Sequence, residues 1–124
     1  MQTLIIVAGV VQYKNKYLLL KRSPQNYSGG DWEFVMGFIK EKELAEFAVL
    51  RELQEETGLT GTIIKPLSPV EVMGRKYRYV VIPYLVEVHS RIIVLSDEHT
   101  EYVWTTKKEL PTYKGIIMAI INLL

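Results

Sequence analysis

The 124-residue chain contains no cysteine, which excludes a disulfide framework and thiol chemistry. It has almost no net charge: 15 Lys and Arg stand against 14 Asp and Glu, a formal +1. That balance gives no reason to expect a nucleic-acid or membrane-surface partner. No hydrophobic run is long enough to span a bilayer, the apolar tail Ile116–Leu124 included. The opening MQTLIIVAGVV lacks a basic segment and a small-residue cleavage site, so it reads as a strand rather than a signal peptide. The expectation is a soluble, cytoplasmic protein with one domain over residues 1–124, a length that suffices for a single core. Histidine occurs only as His89 and His99, both read as incidental rather than as metal ligands.

Leu4–Tyr13 and Tyr17–Lys21 are β-rich runs joined by a hairpin at Lys14-Asn15-Lys16. A polar Gly/Pro/Ser loop follows at Ser23–Asp31, then short extended segments over Trp32–Ile39. Thr62–Val72 and Arg78–Val88 read as two strands about a turn at Met73–Lys76. Ser96–Thr100 reads as a loop, Glu101–Thr105 as a strand, Thr106–Leu110 as a helical turn and Tyr113–Leu124 as an amphipathic helix. Mixed strands enclosing one helix and closed by another predict an α/β sandwich. The apolar segment Ile116–Leu124 either closes the monomer's own core or forms a homodimer seam.

The most informative stretch is GFIKEKELAEFAVLRELQEETGL, from Gly37 to Leu59. Helical periodicity runs from about Glu43 to Thr57, and Gly58 is a natural stop. The pattern sets Leu50, Leu53 and Thr57 on a core face with Phe47 beside them, and Glu52, Glu55 and Glu56 on the opposite face. The plainer interpretation is a solvated charged face. Against it, each acid at a helix C-terminus is unfavourable by about 0.3–1 kcal/mol. Like charges at i,i+4, as at Glu52 and Glu56, repel by about 0.2–0.5 kcal/mol more. Arg51 can pair with Glu55, but one Arg cannot neutralise three acids. A hard divalent cation such as Mg²⁺ would relieve the repulsion.

The segment resembles the signature of the Nudix (MutT-like) hydrolases: Gly, five residues, Glu, seven residues, Arg-Glu, an aliphatic, any residue, Glu-Glu, any residue, Gly, an aliphatic. Gly37, Glu43, Arg51, Glu52, Leu53, Glu55, Glu56, Gly58 and Leu59 fill every fixed position. The resemblance implies an α/β/α sandwich with a mixed sheet and a Mg²⁺-dependent hydrolase, with Mn²⁺ as the alternative ion. It implies metal ligation by Glu52, Glu55, Glu56 and the Gly37 carbonyl, joined from a neighbouring loop by Glu98 of the Glu98-His99 pair, with Glu101 as fallback. Glu52 is the first choice of general base and Glu98 the second. Arg51 and Glu43 would form a supporting salt bridge. Arg22, ending a strand near the cleft, would pair with a phosphate. Tyr77 lies at about the distance past the signature where a tyrosine is associated with dinucleoside polyphosphate substrates, and it could stack a base. Trp104 reads as core.

Val35-Met36-Gly37 departs from the Pro-Gly-Gly frequent in the family, and Lys40 and Lys42 replace residues often acidic or glycine. Met36 cannot take positive φ cheaply, so the approach to the site differs. The leading expectation is hydrolysis of a diphosphate linkage in a nucleoside diphosphate joined to another group. The substrate is a small nucleotide: a nucleoside triphosphate, dinucleoside polyphosphate, nucleotide sugar or pterin triphosphate. A catalytically silent nucleotide sensor is the alternative, disfavoured by the intact Glu52, Glu55 and Glu56. A plain interaction module with an acidic docking helix would need neither Gly37 nor Gly58 at these spacings.

Overall fold

The N-terminal apolar run becomes the central strand β1 (Gln2–Tyr13), whose Val7, Ala8, Val10 and Val11 are all fully buried. Successive residues of a strand face opposite sides, so burial of consecutive positions means that both faces of the sheet are covered. The structure, a computed structural model, describes residues 1–26 and 28–124; Tyr27, within the loop expected at 23–31, lies outside the described residues.

β1 turns at Lys14-Asn15 into β2 (Lys16–Arg22), its antiparallel neighbour. On its other side β1 pairs in parallel with the long β7 (Tyr77–Glu87), from Gln2 opposite Tyr77 to Gln12 opposite Glu87. β3 (Trp32–Glu33) joins β2, and β4 (Val35–Phe38) runs antiparallel to β1 with Val7 opposite Gly37. β5 (Thr62–Pro66) and β6 (Val70–Met73) both pair antiparallel with β7, and β8 (His99–Thr105) pairs antiparallel with β2. The sheet is mixed and the fold is α+β.

Helix α1 (Ala45–Thr57) covers one face of the sheet. Its Ala48 and Val49 pack on Val7, and its Leu53 packs with Val11, Leu18, Leu20 and Val35. The opposite face, built on Ala8, Val10, Leu19, Phe34 and Val81, is closed by Leu110 of a 3₁₀ turn (Leu110–Thr112) and by Ile120 and Ile121 of the short α2 (Met118–Ile121). Alternate positions of one strand thus feed two cores. Among the described residues no helix is long and apolar enough to cross a membrane.

The structure corrects four expectations. The first helix begins at Ala45 rather than at about Glu43, because Lys42 takes φ 63 and Leu44 is extended at φ −77, ψ 148. The single strand expected over 62–72 is interrupted: Leu67 still donates to the Pro83 carbonyl, but Pro69 has no N–H to continue the ladder. The amphipathic C-terminal helix shrinks to four residues, with Gly115 at φ 96 before it. β-Branched isoleucines gain little from a helix there, and the core takes Ile120 and Ile121 from a compact series of turns. β8 begins at His99, inside the stretch expected to be loop.

The faces of α1 are also rotated from the expected ones. Phe47 is 60% exposed, whereas Glu56 is only 1% exposed. At about 100° per residue, Glu56 lies seven positions and nearly two full turns from buried Val49, so it points into the same core side. The helix ends as expected: Gly58 takes φ 76 and its N–H closes on the Gln54 carbonyl at 2.9 Å. Leu53→Ala should therefore lower the unfolding free energy by about 2–5 kcal/mol. Phe47→Ala should change it by about 0.5 kcal/mol or less. Chemical denaturation checks the pair, and comparable losses in both variants would reverse the assignment of faces.

Candidate active site

Arg51 organises the signature segment. Its Nε donates to Glu43 Oε2 at 2.7 Å and its Nη2 to Glu43 Oε1 at 2.9 Å, a forked pair. Nη2 also reaches the Phe38 carbonyl at 2.9 Å, tying the helix to the end of β4. Nη1 reaches Glu52 at 3.0 Å and Glu55 at 2.7 Å. One guanidinium thus joins strand, turn and helix. The Arg51 hydrogen bond, with the Lys40 N–H behind it, lowers the Glu43 pKa to about 2, and hydrogen bonding to Glu43 in turn raises that of Arg51.

Gly37 supplies space. A Cβ at this position would overlap the carboxyl group of Glu52. Gly37 does not have positive φ, so what it provides is close approach rather than an unusual backbone shape. Met36 likewise sits in ordinary strand conformation, so its Cβ costs nothing there.

Glu56 is the most unusual side chain of the molecule. Its Oε1 is buried without any hydrogen-bond partner. Burial first, then a hydrogen bond to Glu52 and the negative charges of Glu52, Glu33 and Glu98, push its pKa up to about 11. The charges of Glu52 on the helix, Glu33 on β3 and Glu98 on the 96–98 turn therefore all act on Glu56. Isolated acids in such a place are costly. The donor set suits a hard cation, which takes carboxylate oxygens and would satisfy the orphaned Oε1.

Among the described residues, no three His, Asp or Glu side chains converge closely enough to ligate a metal as they stand. Glu55 is 48% exposed and turned to Arg51. Of the acids named from sequence, Glu52, Glu56 and Glu98 share one electrostatic neighbourhood, with Glu55 on its outer side. Glu101 is apart from it, paired with Lys21 at 3.1 Å. Arg22 pairs with Glu33 at 3.1 Å, at the end of β2. Tyr77 lies against Tyr79, five ladder positions from Ile82, which is opposite Val7; at strand rise that is about 16 Å along the sheet from the level of Gly37. Trp104 is partly buried against the core beneath α1, its Nε1 donating to the Arg91 carbonyl, and His89 is exposed.

Two participants escaped the sequence reading. Glu33 is held between Arg22 and His99, and His99, read as incidental, is buried with its Nε2 at 2.8 Å from Glu33 Oε2. Period-2 alternation was the available signal for Glu33, since Glu33, Val35 and Gly37 fall on the same side of an extended stretch.

A family model described as NUDIX domain matches residues 3–120. The CTP pyrophosphohydrolase of Escherichia coli (strain K12) is 29% identical over 121 residues, covering 91% of this chain and 83% of that protein. The 8-oxo-dGTP diphosphatase of Proteus vulgaris is 42% identical over 58 residues, 46% of this chain and 52% of its own. In structure, the MutT protein from Methanosarcina mazei Go1 superposes with a TM-score of 0.87 at 23% identity, over 98% of this chain and 90% of that one, which shows the same fold.

The Gly37 contact yields a specific expectation. Gly37→Ala should move the Glu52 carboxylate, because a flexible side chain yields before backbone does. Phosphate release should fall at least about tenfold, as when a group supporting a metal site is displaced. The melting temperature should hold within a few degrees. A variant of undiminished activity would show that the Glu52 position is not critical.

Proposed function

Because the chain belongs to the Nudix family and is a pyrophosphohydrolase, we propose that it hydrolyses, with Mg²⁺, a diphosphate linkage in a nucleoside diphosphate joined to another group, a nucleoside triphosphate being the favoured substrate. The observation that carries this reading is Glu56: a buried carboxylate with an unpartnered oxygen, within the electrostatic reach of Glu52, Glu33 and Glu98. The relatives named for CTP and 8-oxo-dGTP favour the triphosphate class. The distance of Tyr77 from the acids argues against its stacking a base next to the scissile diphosphate.

The residues that would hold the cation are Glu52, Glu55, Glu56 and Glu98, with the Gly37 carbonyl. Bound there, Mg²⁺ or Mn²⁺ neutralises phosphate charge and lowers the pKa of a bound water. Glu52 is the proposed base. Its carboxylate is fixed by Arg51 Nη1 on one side and by the bare Cα of Gly37 on the other, and a base must be positioned before its pKa matters. It takes the proton of the attacking water as the new P–O bond forms and the anhydride P–O bond breaks. Arg51 and Glu43 move no proton; they hold the turn, β4 and the helix in register. Arg22, beside the 96–98 turn and paired with Glu33, is the cation proposed to meet a phosphate at that end.

The test is a panel of CTP, 8-oxo-dGTP, other nucleoside triphosphates and dinucleoside polyphosphates, with and without Mg²⁺, and with the products identified. Glu52→Gln should lower kcat by about 10²–10⁴-fold at saturating Mg²⁺, the range for a lost base. Glu56→Gln should weaken Mg²⁺ dependence. Equal turnover in wild type and both variants, or hydrolysis that ignores divalent ions, would overturn the proposal.

A further inference from the structure

The turn before β8 is secured more heavily than a surface turn requires. The carbonyl of Glu98 accepts from the Ser23 N–H at 2.9 Å and from Asn26 Nδ2 at 3.2 Å. The next residue, His99, pairs with Arg22 in the ladder, directly after a register irregularity between Lys21 and Arg22. Such an irregularity re-aims the side chains on either side of it. Here Glu98 is left exposed, while the side chain of His99 is 1% exposed.

Beneath the turn, His99 Nε2 meets Glu33 Oε2 at 2.8 Å. A carboxylate only accepts, so Nε2 carries the proton. From the other side Arg22 Nη1 divides between the two Glu33 oxygens at 3.1 and 3.2 Å. Glu33 is therefore gripped from β2 and β8 at once. Its charge and that of Glu98 both act on Glu56.

As a purely structural device this is a poor one. His99 Nδ1 is buried with no partner, and an apolar residue would close the strand end without leaving a buried polar atom unsatisfied. The arrangement makes sense if what it fixes is position. An exposed carboxylate on a loose turn samples many places, whereas one on an anchored Cα has only its own torsions to settle.

We propose that Arg22, Glu33 and His99 form a positioning relay in which His99 clamps the start of β8 onto β3 through Glu33 and so fixes the backbone that carries the Glu98 carboxylate. His99 and Glu33 are positioning residues that act through Glu98. The inference rests on Glu98 taking part in the reaction, as read above.

The experiment is a double-mutant cycle in kcat and KM at saturating Mg²⁺, with the preferred triphosphate of the panel. His99→Leu fills the space without a donor, and His99→Gln retains a donor near the place of Nε2. His99→Leu should lower kcat about 10–100-fold, as losing the support of a metal-site residue does, with KM within about twofold. His99→Gln should recover most of the loss. The double variant His99→Leu/Glu98→Gln should be no slower than Glu98→Gln alone, because a misplaced carboxylate has nothing further to lose.

Wild-type kcat in His99→Leu, or losses that multiply in the double variant, would overturn the relay. Should Glu98→Gln alone retain wild-type kcat, the relay falls together with the role of Glu98, while the Mg²⁺ dependence of Glu52 and Glu56 stands independently. Should His99→Leu fail to fold, Glu33→Gln takes its place in the same cycle, with the same expected non-additivity and the same overturning result.

Discussion

Arg51 uses every N–H of its guanidinium within the signature segment. Nε and Nη2 fork onto Glu43, Nη2 also meets the Phe38 carbonyl, and Nη1 bridges Glu52 and Glu55. A planar fork with fixed donor directions can hold three acids and one carbonyl at set angles, which a lysine could not. The turn at 39–44 has no side-chain cap on the helix it precedes, and Leu44 stands at the N-cap. The Glu43–Arg51 pair ties that turn to the helix instead. Without Arg51 the end of β4 would lose its bond from the helix at the Phe38 carbonyl, and the Glu52 carboxylate would lose the donor that fixes it.

That hub leaves one acid outside its reach. Glu56 is turned from Arg51 into the sheet, where burial and its acidic neighbours penalise its charge. The fold is thus locally at odds with itself: an ordinary helix would put an aliphatic residue at the position one heptad beyond Val49. Conflicts of this kind between local rule and global fold are expected where a site is built. Glycine at 37 belongs to the same bargain, since it gives up β-strand packing to admit the Glu52 carboxylate. The site and the core are therefore coupled through single residues, Leu53 facing the core and Glu52 the acids on adjacent positions of one helix.

Much of this was legible in the sequence, for identifiable reasons. The central strands β1, β2 and β7 announce themselves because buried strands must be apolar on both faces, and Gly58 ends α1 because glycine takes the left-handed turn there without cost. The spacing from Gly37 to Leu59 pointed to the family because it encodes which groups share a helix turn. What stayed hidden depends on contacts between distant segments. Glu33 and His99 are 66 positions apart and meet only through the pairing of β2 with β3 and β8. The burial of Glu56 was a misjudged helical angle and could have been read from Val49. The C-terminal turns were overread because an amphipathic pattern reports which residues are buried, not that a helix buries them.

The central claim is that Glu56 is an acid kept ready for a cation, and its most direct measurement is a count of protons. Burial and the neighbouring acids favour the protonated form of Glu56, and a divalent ion occupying that place would displace its proton. Isothermal titration of Mg²⁺ into the protein at about pH 7.5, in buffers of different ionisation enthalpy, should show about one proton released per ion bound. The release should disappear in Glu56→Gln. Binding heats independent of the buffer, or proton release unchanged in Glu56→Gln, would contradict the account.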